Sequence, residues 1–159
     1  EARVDEGRIG ARGLFDRIRR DLRLKRITFG RFKTIWNGIF RENRPVVRLL
    51  HRLKKNGYRL VLISNTNRLH YEYVLGRHPV LRLFDAAVLS FRVGARKPKR
   101  KIYRKALRFS RARPSEIFYT DDRTDLTAAA YLNHGIRTHT FRSAGELKKA
   151  LSRLGVRIS

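Results

Sequence analysis

The sequence predicts an α/β fold, a parallel sheet with helices on both faces, preceded by a small helical subdomain. Three observations predict it. Beyond Tyr58, short apolar runs alternate with amphipathic stretches, the pattern of strand–helix–strand units. Two of the runs lead into small polar or acidic groups, Ser64-Asn65-Thr66-Asn67 and Thr120-Asp121-Asp122, at the strand ends where open parallel sheets place ligands. The first 45 residues carry helical spacing and no strand signal.

In chain order, Leu14, Phe15, Ile18 and Leu22 share one helical face, and Phe29, Phe32, Ile35, Trp36, Ile39 and Phe40 share another. Residues 1–45 are therefore expected to form the helical subdomain and residues 46–159 the α/β core. The core opens with a helix from Pro45 to about Lys55, with proline in its first turn and Asn56-Gly57 as its stop. Arg59 to Ser64 reads as a buried strand and Arg68 to about Leu75 as a helix. A strand at Ala86 to Ser90 and a helix at Lys99 to Phe109 follow. Then come a strand at Ile117 to Thr120, a helix at about Asp125 to Leu132, a strand at Thr138 to Phe141 and a helix at Ala144 to Leu154. Internal repeats, low-complexity segments and linkers are absent from the pattern.

A length of 159 residues suits one domain with a small appendage. Nine Phe, six Tyr and one Trp within an apolar content of 42% are enough for a packed core, while the apolar runs are too short to cross a bilayer. The absence of Cys excludes disulfides, thiolate metal sites and cysteine nucleophiles. The charged start Glu1-Ala2-Arg3-Val4-Asp5-Glu6 has no apolar stretch of a secretory signal, so a cytoplasmic location is expected. The net charge of +26 attracts polyanions, nucleic acid included. Most of that charge is scattered along the chain, but Arg96 to Lys105 gathers seven basic residues in ten. Cations at a helix N-terminus are unfavourable unless an anion binds nearby, which makes this cluster the best candidate for an anion contact.

Asp121, Asp122 and Asp125 concentrate three of the 13 acidic residues within five positions. Such a group at a strand end is a candidate Mg²⁺ site, because hard oxygen ligands suit that ion; it equally suits a helix start. Ser64-Asn65 reads as a turn or as a phosphate contact. Lys97, in the loop Val93-Gly94-Ala95-Arg96-Lys97-Pro98, reads as a surface charge or as a counter-charge. Taken together, a hydroxyl, a lysine and an acidic pair at one edge of a parallel sheet form a phosphate clamp beside a metal.

Four segments resemble motifs of the haloacid dehalogenase superfamily: Leu62-Ile63-Ser64-Asn65-Thr66-Asn67 with His70, Phe84-Asp85 followed by Ser90, Gly94-Ala95-Arg96-Lys97-Pro98 with Ile102-Tyr103, and Phe118-Tyr119-Thr120-Asp121-Asp122. They are most similar to the branch holding alpha-D-glucose-1-phosphate phosphatase and the N-terminal phosphatase domains of epoxide hydrolases. Glu6-Gly7-Arg8-Ile9 and Ile35-Trp36-Asn37-Gly38-Ile39-Phe40 resemble that branch's cap, in which Trp36, Asn37, His70 and Tyr71 are possible substrate-pocket residues.

The resemblance implies a Rossmann-like core and a Mg²⁺-dependent phosphomonoesterase acting on a small phosphorylated metabolite such as a sugar phosphate. An aspartate ending the first strand would attack phosphorus, and a second, two positions on, would serve as acid and base. Ser64 and the Asn65 amide would hold the phosphoryl group, Lys97 would neutralise charge, and Asp122 would ligate Mg²⁺ with Asp121 supporting it. Two departures stand out. No Asp-x-Asp ends a strand ahead of the helical region, since Asp5 precedes Glu6 and Gly7, while Asp16 and Asp21 lie in a helical pattern. The implied central first strand is thus expected to be missing, the chain to be a piece of a longer one, and these residues alone to fold poorly and to be inactive. Leu126 also stands where the branch has Asn, with Asp125 one position earlier. The alternative function is a catalytically dead basic module that binds nucleic acid or another polyanion through the Arg96 to Lys105 face.

Overall fold

The computed structural model describes residues 2–158. A short turn of helix, α1 (Ala2–Asp5), leads into α2 (Ala11–Asp21) and α3 (Phe29–Asn37). These pack round Val4, Leu14, Phe15 and Phe32, with Phe29 and Trp36 against them. The α3 helix starts where the Thr28 side chain accepts from the Arg31 amide and stops at Gly38. Ile35 and Ile39 do not join Phe29, Phe32 and Trp36: they are 57% and 68% exposed. At 3.6 residues per turn Ile35 lies about 100° round the helix from Trp36, off the packed face, and Ile39 lies beyond its end. Leu22, just past α2, is exposed for the same reason.

The remainder is the expected alternation. Helix α4 (Arg44–Lys55) leads to β1 (Val61–Ser64), α5 (Arg68–Arg77) and β2 (Ala86–Leu89). The one-turn α6 (Ser90–Val93), then α7 (Arg100–Ser110), connects to β3 (Phe118–Asp121), α8 (Thr124–His134), β4 (Arg137–Thr140) and α9 (Ala144–Arg153). Short 3₁₀ turns at Pro79–Leu83 and Pro114–Glu116 were not expected from the sequence. They carry proline in the first turn, which suits so tight a geometry.

All pairing is parallel, but among the described residues it forms two separate sheets rather than one. The β1 strand pairs only with β2, Val61 facing Ala86 through Ser64 facing Leu89, and β3 pairs only with β4, Phe118 facing Arg137 through Asp121 facing Thr140. The two half-sheets share their layers. On one face Leu49 and Leu53 of α4 and Leu147 and Leu151 of α9 pack with Leu60, Phe118 and Phe141. On the other, Ile102 and Tyr103 of α7 and Ala130 of α8 pack with Val61, Ile63, Val88 and Tyr119. The sheet is therefore Rossmann-like and helix-covered on both faces, and it is split. Every residue of β1 and β3 is only half-buried, whereas Val88 and Leu89 of β2 are almost fully buried. Inner strands of such a layer are normally the most buried, so the half-exposure marks the missing strand between β1 and β3.

Candidate active site

The carboxyl ends of both half-sheets meet at a cavity of about 390 Å³, lined by Asp5, Ser64, Asn65, Arg96, Lys97, Asp121, Asp122, Arg123 and Leu126. Ser64 is the last residue of β1 and Asp121 the last of β3, so both are delivered to this edge by strand length alone. Lys97 comes from the loop between α6 and α7, and that loop is fixed by side-chain amide chemistry. The Lys97 backbone N–H donates to Asn65 Oδ1 at 2.7 Å, and Asn65 Nδ2 donates back to the Lys97 carbonyl at 3.1 Å. The buried Ser90 hydroxyl does the same for the β1 end: it accepts from the Thr66 amide at 2.9 Å and donates to the Thr66 carbonyl at 2.8 Å.

The Lys97 ammonium reaches across the split to Asp121 Oδ2, and both side chains are over 90% buried. Tyr119 Oη donates to the same oxygen at 2.5 Å, and the Arg123 amide donates to Oδ1 at 3.1 Å. Burial by itself would raise the Asp121 carboxyl, but the lysine and tyrosine donors outweigh it and hold the group below the ordinary aspartate range. The Tyr119 hydroxyl is pushed far above its ordinary value, first by burial and then by its bond to Asp121. Asp121 is therefore charged at neutral pH, with the tyrosine neutral.

The structure thus brings together Ser64, Asn65, Lys97, Asp121 and Asp122, and leaves Asp125 aside. Asp125 accepts from Arg123 Nε at 3.1 Å and from Nη2 at 2.7 Å on the exposed start of α8, so its charge is spent on a neighbour two residues away. Trp36, Asn37, His70 and Tyr71 do not line the cavity either. The His70 ring stacks on Trp36 with centroids 5.4 Å apart, its Nε2 lies 3.1 Å from the Trp36 carbonyl oxygen, and Phe40 meets it edge-on. Asp85 is also structural: it accepts from Lys54 at 2.6 Å and from the Leu60 amide at 2.9 Å, tying down the entry to β1.

Four cavity residues, Asp5, Arg96, Arg123 and Leu126, were not selected as site residues from the sequence. Asp5, weighed there only as a nucleophile, is 6% exposed, and its Oδ2 lies 3.6 Å from Arg96 Nε. Arg96 stood out only as one member of the basic cluster. The signal available was an Asp-Glu pair in a chain with 13 acids against 39 bases. The cluster itself is partly matched from within, since Arg96, Lys97 and Lys99 each face a carboxylate.

Asp121 and Asp122 offer hard oxygens on the cavity wall, and Mg²⁺ is typically held by one or two carboxylates, with waters and substrate phosphate completing its shell. The pair fits that ion in kind. Among the described residues no cluster of three or more His, Asp or Glu side chains forms a larger site, and no helix is long and apolar enough to cross a membrane.

Comparison with known proteins agrees with this architecture. The fold is similar to that of a HAD family enzyme from Bacteroides thetaiotaomicron solved as a magnesium complex, with TM-score 0.79 and 26% identity over 95% of this chain and 78% of that one. The same enzyme with magnesium and inorganic phosphate matches at TM-score 0.77 and 24% identity, over 88% of this chain and 73% of that one. A HAD-like family hydrolase from Porphyromonas gingivalis matches at 0.80 and 22%, over 98% and 78%. Both matches below 25% identity bear on the fold alone. The family model for haloacid dehalogenase-like hydrolases matches residues 11–135, and the chain belongs to that family.

Proposed function

We propose that this cavity serves Mg²⁺-dependent hydrolysis of a small phosphomonoester, a sugar phosphate being the class suggested by the resemblance to alpha-D-glucose-1-phosphate phosphatase. One observation carries the reading: Ser64, Lys97 and the Asp121-Asp122 pair, from segments far apart in sequence, converge on a single cavity at the carboxyl edge. In it the Ser64 hydroxyl binds a phosphoryl oxygen and the Lys97 ammonium offsets phosphate charge. Asp122, with Asp121 beside it, holds the Mg²⁺, which when bound supplies further charge neutralisation. The magnesium reported for the Bacteroides enzyme supports the metal assignment.

The attacking carboxylate has its natural place between Ser64 and Asp121, at the end of a strand filling the split between β1 and β3. We therefore expect residues 1–159 to bind phosphate without turning over a phosphomonoester, and a chain extended by an apolar strand ending in Asp-x-Asp to form the aspartyl phosphate and hydrolyse it. Assay of both forms against p-nitrophenyl phosphate, with and without Mg²⁺, tests this. A folded extended form that stays inactive in Mg²⁺ rejects the reading.

A second reading keeps one observation, that α7 turns Arg100, Lys101, Arg104, Lys105 and Arg108 to solvent. A polyanion such as RNA would bind that face with affinity falling steeply as salt rises, and charge reversal at Arg100, Lys101 and Arg104 would weaken it. Flat salt dependence removes this alternative.

A further inference from the structure

The loop that carries Lys97 is held from two sides, and only one belongs to the site described above. From inside, Asn65 and Asp121 fix the lysine. From outside, two consecutive acids at the start of the chain take the cations that flank it. Asp5 faces Arg96 at 3.6 Å, and Glu6 accepts from Lys99 at 2.5 Å while also lying 3.2 Å from Arg8. The acid side chains are only 8% and 9% exposed, while Arg96 is half-buried and Lys99 reaches solvent. The Lys99 bond also holds the Glu6 carboxyl below its ordinary range.

The backbone geometry makes the contact close. Gly7 has φ +73°, and a Cβ there would stand 2.5 Å from the Phe91 carbonyl oxygen. The chain after α1 therefore lies directly on α6, and only glycine allows that approach. Asp5 forms part of the cavity wall from this position. Without the two acids, Arg96 and Lys99 would stand unopposed on either side of Lys97, whose own partner is Asp121, a repulsion that displaces the loop or its lysine. With the two flanking cations matched, Lys97 stays with Asp121 at the site.

We propose that Asp5 and Glu6 are positioning residues, an electrostatic latch that seats the N-terminal helical segment on the core and fixes the Arg96–Lys99 loop. This deepens the phosphatase reading, on which it rests only for the role of Lys97. The test reads local opening directly. The amides of Ala95, Lys97 and Lys99 are all hydrogen-bonded, to Ser90, Asn65 and Arg96 respectively, and are therefore reporters for amide hydrogen exchange. In the Asp5→Asn, Glu6→Gln double variant these three amides should exchange about tenfold faster while α9 keeps its protection. The reversed pair, Glu6→Lys with Lys99→Glu, should restore the Lys99 amide relative to Glu6→Lys alone. Unchanged loop exchange overturns the proposal. So does a rise of equal size in α9, which would make the acids general stabilisers, and so does failure of the reversed pair to restore protection. None of these readouts uses phosphate, so a phosphatase reading that fails leaves the result interpretable.

Discussion

Asp121 accepts from three donors at once, and its bond to Lys97 holds that lysine in place. Breaking that pair from one side leaves an uncompensated charge in a half-buried wall. Lys97→Met should therefore destabilise the chain by about 3 kcal/mol in urea unfolding, and Lys97→Met with Asp121→Asn should cost clearly less than the sum of the two single changes. Additive costs would show that the pair contributes nothing. Asn65→Ala removes both bonds to the Lys97 backbone and should cost ~1–3 kcal/mol, together with a drop in affinity for inorganic phosphate measured calorimetrically in Mg²⁺. At this scale the sequence was informative where position on a strand decides the outcome. Ser64 and Asp121 end strands and so reach the edge, whereas Asp125, one helical turn later, meets Arg123 instead. Asp5 escaped because its partner Arg96 is remote in the chain, and nothing local to residue 5 marks the contact.

Helices α3, α4, α5 and α9 start where a side chain accepts from a backbone amide, and these caps differ in burial. Asn67 caps α5 by accepting from the His70 amide at 3.0 Å and is 5% exposed, while Ser143 caps α9 by accepting from the Glu146 amide at 3.2 Å near solvent. Ser143→Ala should lower stability by ~1 kcal/mol, the usual worth of a cap. Asn67→Ala should cost more, ~2 kcal/mol, because it also strands buried polar groups, and thermal unfolding of both variants gives the order. Most elements could be read because periodicity and capping residues act over one or two turns. The α6 turn and the 3₁₀ turns could not, since they are too short to show a period. The face of α3 was misjudged because apolar character alone does not say where a helix stops.

For the whole molecule, pH acts through carboxylates held low in the fold. Glu116 is brought down to about 2 by its bonds to Arg113, and Asp85 and Glu6 are lowered by their lysine partners. The unfolded chain therefore takes up these protons first. Their stabilisation is complete above the ordinary glutamate value of 4.5 and is lost as pH falls from there toward about 2. His134 is lowered by burial, so it adds a smaller loss as pH drops below 6.5. Melting temperatures at pH 7, 5 and 3 at matched ionic strength should fall in that order, most steeply over the last step, where protonation of acids leaves the 39 Lys and Arg less opposed. A flat profile would contradict the ion pairs described. The alternation of strands and helices, and the split itself, could be anticipated from the sequence. That the split would be spanned by a lysine could not, because it depends on how two half-sheets settle against shared helices.

Because Ser64, Asn65 and Lys97 belong to one half-sheet and Asp121 and Asp122 to the other, the cavity is also the seam of the protein. Any ligand that touches both walls is a rivet, and its binding energy is added to the cohesion of the whole chain. Phosphate with Mg²⁺ should accordingly raise the melting temperature in proportion to the logarithm of its concentration once saturating. This would make thermal shift a way to rank phosphorylated metabolites without an assay of turnover.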